Sequence, residues 1–288
     1  MKFRTELHIE ESSDKITFTD KLFTIGSCFS DEIGAKLLHH GFQVQCNPYG
    51  TVFNPISLTK LLHHTIQGYS VEETDVYHEN DRYIHFDFHS SFCNDTARGV
   101  VTSINKAIQS SHAAMHASQW LIISLGTSFV YEFLPTGALV SNCHKVPNQL
   151  FRKTLLTEYT MIESLCLAIE ALLVFNPKLK IIFTVSPVRH IKDGLVNNNL
   201  SKSQLIATVH CLIEKYPTIQ YFPAYEIMLD DLRDYRFYKE DMIHPTDQAV
   251  SYIWKKFCDV YMDDINLKQA QDYHKSRKLE LHIKHKSR

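Results

Sequence analysis

Glycine is scarce in this chain of 288 residues. The nine glycines, at 26, 34, 41, 50, 68, 99, 126, 137 and 194, never lie closer than seven positions apart. That spacing excludes a G-x-G-x-x-G dinucleotide loop, a G-x-x-x-x-G-K-[ST] phosphate loop and the G-x-S-x-G elbow of α/β-hydrolases. The seven cysteines never form C-x-x-C, so zinc-ribbon and thioredoxin-type motifs are absent. Their odd number, and the lack of an apolar signal core after Met1, lead us to expect reduced thiols and a cytoplasmic location. No apolar run reaches the roughly 18 residues of a membrane span, so no membrane partner is expected. With 30 basic against 32 acidic side chains, neither is a nucleic-acid partner. The composition is otherwise that of a globular protein, with 44% hydrophobic and 22% charged residues, but it includes 17 histidines.

Strand-like and helix-like segments alternate. Leu22 to Ile25 is a short β-prone run ending at Gly26, and a helical pattern follows with Phe29, Ile33 and Leu37 on one face. Asp31 and Glu32 fall in its first turn, and Gly41 stands at its end. Phe42 to Gln45 reads as a second strand, and Pro55 opens a helix through Leu58, Leu61 and Leu62. Trp120 to Leu125 and Lys180 to Val185 read as strands buried on both faces, and Ile219 to Phe222 as a further strand. Helices are expected over 154–175, 200–216 and 245–261, the last with Pro245 in its first turn. Near-continuous apolar strands separated by helices indicate a parallel sheet covered on both faces.

Residues 68–100 break this rhythm. Tyr83 to His89 alternates like a half-exposed strand, suggesting an inserted β-hairpin; His85, Asp87 and His89 would then share a face with metal-binding potential. We assign no metal there, because solvent-facing histidines are commoner. The pairs His39/His40, His63/His64 and His112/His116 read as solvent-facing positions on helices. The chain divides into a domain over 1–262 and a basic tail, helical or frayed, over 263–288. The segment 265–288 carries a net charge of +5, leaving −7 on the rest.

In a parallel α/β sheet, sites form outside the carboxyl ends of the strands. Ser27, Gly50, Asn54, Gly126, Thr127, Ser186, Arg189, Asp241 and His244 all follow predicted strands or close the chain there. A serine, a histidine and an aspartate at one edge are the inventory of a nucleophilic hydrolase. Ser27 at a strand-to-helix junction would attack beside free helix N–H groups, with His244 as its base and Asp241 orienting the imidazole. Ser27 and the D-x-x-H segment also fit simple helix capping. Cys28 could be suspected as the nucleophile; adjacent side chains diverge on such a turn, so only one can face the site, and Ser27 is preferred while Cys28 is left to the core.

Five segments carry a resemblance. Gly26-Ser27-Cys28-Phe29-Ser30 strongly resembles the G-S-C-F-A signature of the GSCFA-domain family, a branch of the SGNH (GDSL-like) hydrolases, with Ser30 in place of Ala. Asn47 to Pro55, Leu125 to Tyr131, Thr184 to Val188 and Asp241 to Pro245 resemble its later blocks, in order, over roughly residues 20 to 260. The resemblance implies a three-layer α/β/α sandwich of flavodoxin-like kind with about five parallel strands. It implies a triad of Ser27, Asp241 and His244, with oxyanion donors at the Ser27 and Gly50 backbones and on a side-chain amide. The superfamily takes that amide from G-x-N, but Gly126-Thr127-Ser128 has no Asn. Asn54 or the Thr127 hydroxyl is the candidate replacement. Phe88-His89-Ser90-Ser91-Phe92 resembles another segment of the family, which makes His89 a candidate substrate contact.

The expected activity is that of a serine esterase releasing small acyl groups, O-acetyl above all, from a small-molecule or glycan ester, with no cofactor. An O-acyltransferase would use the same residues, and a non-catalytic carbohydrate-binding module would keep only the fold. The oligomeric state is not legible.

Overall fold

The computed structural model describes residues 5–286, with side chains through residue 277. Its strands are β1 (Lys21–Gly26), β2 (Gln43–Cys46), β3 (Tyr77–Glu79), β4 (Arg82–Ile84), β5 (Trp120–Leu125), β6 (Phe129–Phe133), β7 (Ala138–Val140), β8 (Phe151–Leu155), β9 (Lys180–Val185) and β10 (Ile219–Phe222). Its helices are α1 (Cys28–His39), α2 (Pro55–Gln67), α3 (Ala97–Ala117), α4 (Glu158–Phe175), α5 (Gly194–Lys215), a short α6 (Ala224–Glu226), α7 (Asp247–Tyr261) and α8 (Asp264–Lys286).

Five strands form one parallel sheet in the order β10-β9-β5-β1-β2. Successive strand residues point to opposite faces. Phe23, Ile25, Leu121, Ile123, Ile181 and Phe183 therefore join one core, closed by α2, α3, α4 and α5. Leu22, Trp120, Ile122 and Ile182 join the other, closed by α1 and α7. This is the three-layer α/β/α sandwich expected, and the near-continuous apolar strands are its cause. The chain runs outward from β1 to β2 and then returns to β5 on the other side. The strand order thus reverses between β1 and β5, the crevice where doubly wound sheets place their ligands.

The inserted region departs from expectation in extent. The β3–β4 hairpin turns at Asn80 and Asp81, both at positive φ (50° and 61°), as a two-residue hairpin turn demands. The strand stops at Ile84, and a turn follows in which the Phe88 N–H donates to His85 O at 3.1 Å. His85, Asp87 and His89 therefore do not share a strand face. A second antiparallel sheet, β7-β6-β8, has no counterpart in the sequence reading. It packs Phe133 and Val140 against Ile84 and Val146, so the hairpin rests on it.

Helix boundaries shift for local reasons. Residues 151–155 are drawn into β8, and α4 starts after Thr157, whose hydroxyl accepts from the Thr160 N–H. Pro245 precedes the cap of α7 rather than occupying its first turn, because Thr246 caps that helix through the Ala249 N–H. In the tail, α8 docks on the body: Asn266 Oδ1 accepts from the Phe18 N–H at 2.8 Å and Ala270 is buried. His40 is not solvent-facing but stacks on His274 at 4.6 Å and packs against Trp254 at 5.2 Å. Among the described residues, no helix is long and apolar enough to cross a membrane.

Gly26 lies at φ 133° beneath the β5 backbone, and a Cβ there would penetrate Ser124 O. Gly26→Ala should lower the unfolding free energy by about 1–3 kcal/mol or more through overpacking and strain. Urea unfolding reads this as a fall in midpoint at unchanged slope.

Candidate active site

At the β1–β5 crevice the chain is tied down by backbone bonds. The Gly26 N–H donates to Asn47 Oδ1 at 2.9 Å, and the Ser27 N–H to Ser124 O at 2.8 Å. Ser27 then caps α1: its Oγ accepts from the Phe29 N–H at 3.3 Å and lies 2.8 Å from Ser124 Oγ. The residue is 0% exposed. No hydrogen bond joins it to His244 among the described residues. Its neighbour Cys28, the first residue of α1, is half-buried. Burial pushes the Cys28 thiol up and the Asp31 carboxylate adds to this, while the Lys202 ammonium opposes both. Asp31 is itself raised by burial, although Asn47 Nδ2 donates to it at 2.8 Å.

Asp241 and His244 are brought together. His244 Nδ1 lies 2.6 Å from Asp241 Oδ2, and Asp241 Oδ1 accepts from the Ile243 and His244 N–H groups at 2.9 and 3.0 Å. The backbone and side-chain bonds from His244 hold the Asp241 carboxyl well below the usual carboxylate range. The turn that makes this possible forces Met242 to φ 56°, the left-handed region. Arg189 braces it, with its N–H donating to Ile243 O at 3.3 Å and its guanidinium to Met242 O at 3.4 Å.

The expected oxyanion and substrate groups are near the crevice but mostly engaged. The Gly50 N–H donates to Asn47 O at 2.8 Å, closing a turn at φ 76°, and a Cβ there would enter the His89 side chain. The Gly126 and Thr127 N–H groups both donate to Phe53 O, at 2.8 and 3.0 Å. Thr127 Oγ1 bonds Ser201 Oγ at 3.0 Å and accepts from the Phe129 N–H at 3.1 Å. Asn54 caps α2, accepting from the Ser57 N–H at 2.8 Å while its Nδ2 donates to Ser57 Oγ at 3.1 Å; one amide hydrogen remains. His89 packs on Gly50, with its Nδ1 occupied by Ser91.

Asn54 and Thr127 line a cavity of about 300 Å³, together with Phe53, Lys153, Arg189, His190 and Ile243 beside His244. Burial, reinforced by the charges of Lys202 and Lys153, pushes the His190 imidazole down to about 3, so it is neutral at physiological pH. Lys202 reaches from α5 to donate to Ser186 O at 2.7 Å; it is 1% exposed, and burial pushes its ammonium down to about 7. Sequence reasoning missed Asn47, Ser124, Lys202 and His190. Only Asn47 carried a signal, since Asn tolerates the left-handed backbone it adopts here at φ 35°. Among the described residues, no cluster of three or more His, Cys, Asp or Glu side chains is placed to hold a metal ion.

Lys202 generates a stability prediction. The unfolded chain holds a lysine proton up to a pKa of about 10.4, whereas the folded protein releases it near 7. Between those values the unfolded state binds more protons, so stability should rise with pH. Thermal melts between pH 6 and 10 should show that rise, and Lys202→Met should flatten it.

No curated protein matches the sequence. Among solved structures, similarity extends to a candidate platelet activating factor from Streptococcus pneumonia, at 11% identity over 83% of this chain and 84% of that one, with a TM-score of 0.42. It extends also to a family 3 carbohydrate esterase from Clostridium thermocellum, at 11% identity over 88% and 99% of the two chains, with a TM-score of 0.38. The family match is more direct: residues 21–257, from the first strand of the sheet to the last turns of α7, match the GSCFA family, and the chain belongs to it.

Proposed function

We propose that the protein is an ester hydrolase that works through an acyl-enzyme at the start of α1, with His244 as general base and Asp241 as its orienting carboxylate. The observation that carries this reading is the 2.6 Å pair between His244 Nδ1 and Asp241 Oδ2. An imidazole bound at Nδ1 by a carboxylate has its tautomer set, with Nε2 as the basic atom. His244 Nε2 has no partner among the described residues, and the side chain is 45% exposed.

The nucleophile in this reading is Cys28, the neighbour of the Ser27 expected from the sequence. Ser27 is enclosed and spends its oxygen on the cap and on Ser124, whereas Cys28 follows it on the same turn with a half-buried thiol. Burial and Asp31 keep that thiol protonated at neutral pH, so its attack needs a base. His244 takes the thiol proton as sulfur bonds to the ester carbonyl carbon. The tetrahedral oxyanion collapses, the C–O bond to the alcohol breaks, and the proton passes from His244 to the departing alkoxide. Water then attacks the thioester carbon, gives its proton to His244, and the C–S bond breaks to release the acid and restore the thiol. The Cys28 N–H, at the start of α1, and the spare Asn54 amide hydrogen supply the oxyanion donors. Each such donor contributes about 2.7–4 kcal/mol. The substrate class is a small acyl ester, O-acetyl esters of carbohydrates included.

Hydrolysis of 4-nitrophenyl acetate tests the assignment. His244→Ala and Asp241→Asn should each lower kcat by about 10²–10⁴-fold; rates equal to wild type would remove the base pair. Cys28→Ala should abolish the acyl-enzyme. Ser27→Ala should retain turnover while losing about 0.5–2 kcal/mol of stability with the cap. The reverse pattern, with Ser27→Ala dead but folded and Cys28→Ala active, returns the nucleophile to the hydroxyl.

A further inference from the structure

The cavity beside His244 has an unusual charge. Its lining includes three cations, Lys153, Arg189 and Lys192, and a single carboxylate, Asp193. Lys153 is paired with Asp193 and also lies over the Phe129 and Tyr131 rings. That pair is internally balanced. Arg189 and Lys192 have no carboxylate partner among the described residues. Arg189 is held in place all the same: its guanidinium stacks on Tyr238 at 3.9 Å and reaches toward the Asp241–His244 turn through Met242 O. A stacked guanidinium keeps its edge N–H groups free for a planar or tetrahedral oxyanion. His190 contributes a neutral imidazole whose buried Nε2 bonds nothing in the described structure.

The contrast with the rest of the chain strengthens the point. Outside the basic tail the chain carries a net charge of −7, so a cavity with two uncompensated cations is not a sample of the average surface. Leaving the half-buried Arg189 guanidinium without a counter-charge costs stability that a bound anion restores, and the exposed Lys192 adds to the local positive field.

We infer that the ester accepted here carries an anionic group, a carboxylate or a phosphate, that lodges in this cavity against Arg189 and Lys192. The inference rests on the proposed esterase reading for its reaction and names that site's substrate class. The anion sits beyond the scissile bond, so Lys192 acts on specificity alone, whereas Arg189 also braces the turn of the general base. His190 Nε2 and the cavity's aromatic side chains complete the enclosure.

The test uses the full chain and aryl acetates that differ only at the meta position: 3-acetoxybenzoate, 3-acetoxyphenyl phosphate and the neutral 3-acetoxybenzamide. Wild type should show kcat/KM at least about tenfold higher for the anionic esters, as charge-assisted hydrogen bonds to guanidinium imply. That advantage should shrink with added salt and approach unity in Arg189→Gln and in the exposed Lys192→Gln. The first two compounds distinguish carboxylate from phosphate. Equal wild-type rates for charged and neutral esters, or an advantage that persists in both variants, would overturn the inference. Calorimetric binding of 3-acetamidobenzoate against 3-acetamidobenzamide separates it from the chemistry, because these amides need no turnover. Tighter binding of the charged amide, lost in Lys192→Gln, would support the anion site even in an enzyme inactive on every acetate. Equal binding of the two amides would overturn it even if the esterase reading held.

Discussion

The close approach of β1 to β5 at Gly26 and Ser124 sets the rest of the site. At that point Gly26 has no side chain to hold the strands apart, and the next residue passes its N–H to Ser124 O. The Ser27 side chain is thereby turned inward against Ser124 Oγ, and α1 begins one residue later at the half-buried Cys28. The same contact lies where the strand order reverses, so the start of a helix, with its unpaired N–H groups, comes to the one gap between neighbouring strand ends. Asn47 then ties three parts together, accepting from Gly26, donating to Asp31 and closing the turn at Gly50. A side chain at this helix start needs no mobile loop to find its position.

Charge is arranged around that start as deliberately as the backbone. Lys202 is buried beneath the crevice with a carbonyl partner and the Tyr225 ring at 5.7 Å, and the Lys202–Cys28 interaction opposes the burial that keeps the thiol protonated. With its own ammonium depressed to about 7, Lys202 is partly neutral at physiological pH, which limits how far it can draw the thiol toward thiolate. The consequence favours a base-assisted thiol over a standing ion pair. Burial, to which the charges of Lys202 and Lys153 add, keeps His190 neutral.

How much of this was legible follows from where each signal resides. β5, β9 and β10 were readable to the residue because strands inside a parallel sheet are largely apolar and each run here is short and bounded by turn signals. The β6–β8 sheet was not, because its strands have three to five residues, carry Glu132, Arg152 and Lys153, and are defined by pairing across a long gap. The alternation from Tyr83 to His89 misled for the opposite reason. Its period is real, but the chain turns at His85 to place Asp87 against Lys60, at 2.7 Å, and only the pairing partner shows this. At the site, D-x-x-H was legible because both partners lie within one turn. The burial of Ser27 against Ser124 was not, since it depends on a hydrogen bond to a residue 97 positions away.

The Asp241–His244 turn argues for function in a way the triad pattern alone does not. A methionine at φ 56° costs of order 1–3 kcal/mol and persists only where surrounding bonds over-determine it. Here they do: Lys239 donates to His244 O at 2.7 Å, Thr246 to Phe237 O at 2.8 Å, and Arg189 bonds two successive carbonyls of the turn. Helix capping at α7 requires none of this, because Thr246 already performs it. What the strain secures is the direction of one imidazole, with Nδ1 held against a carboxylate and Nε2 left open. The residue that braces this turn, Arg189, also lines the cavity and has no carboxylate partner among the described residues. Arg189 thus ties the turn that directs the imidazole to the lining of the cavity beside it, through its backbone N–H on Ile243 O and its guanidinium on Met242 O.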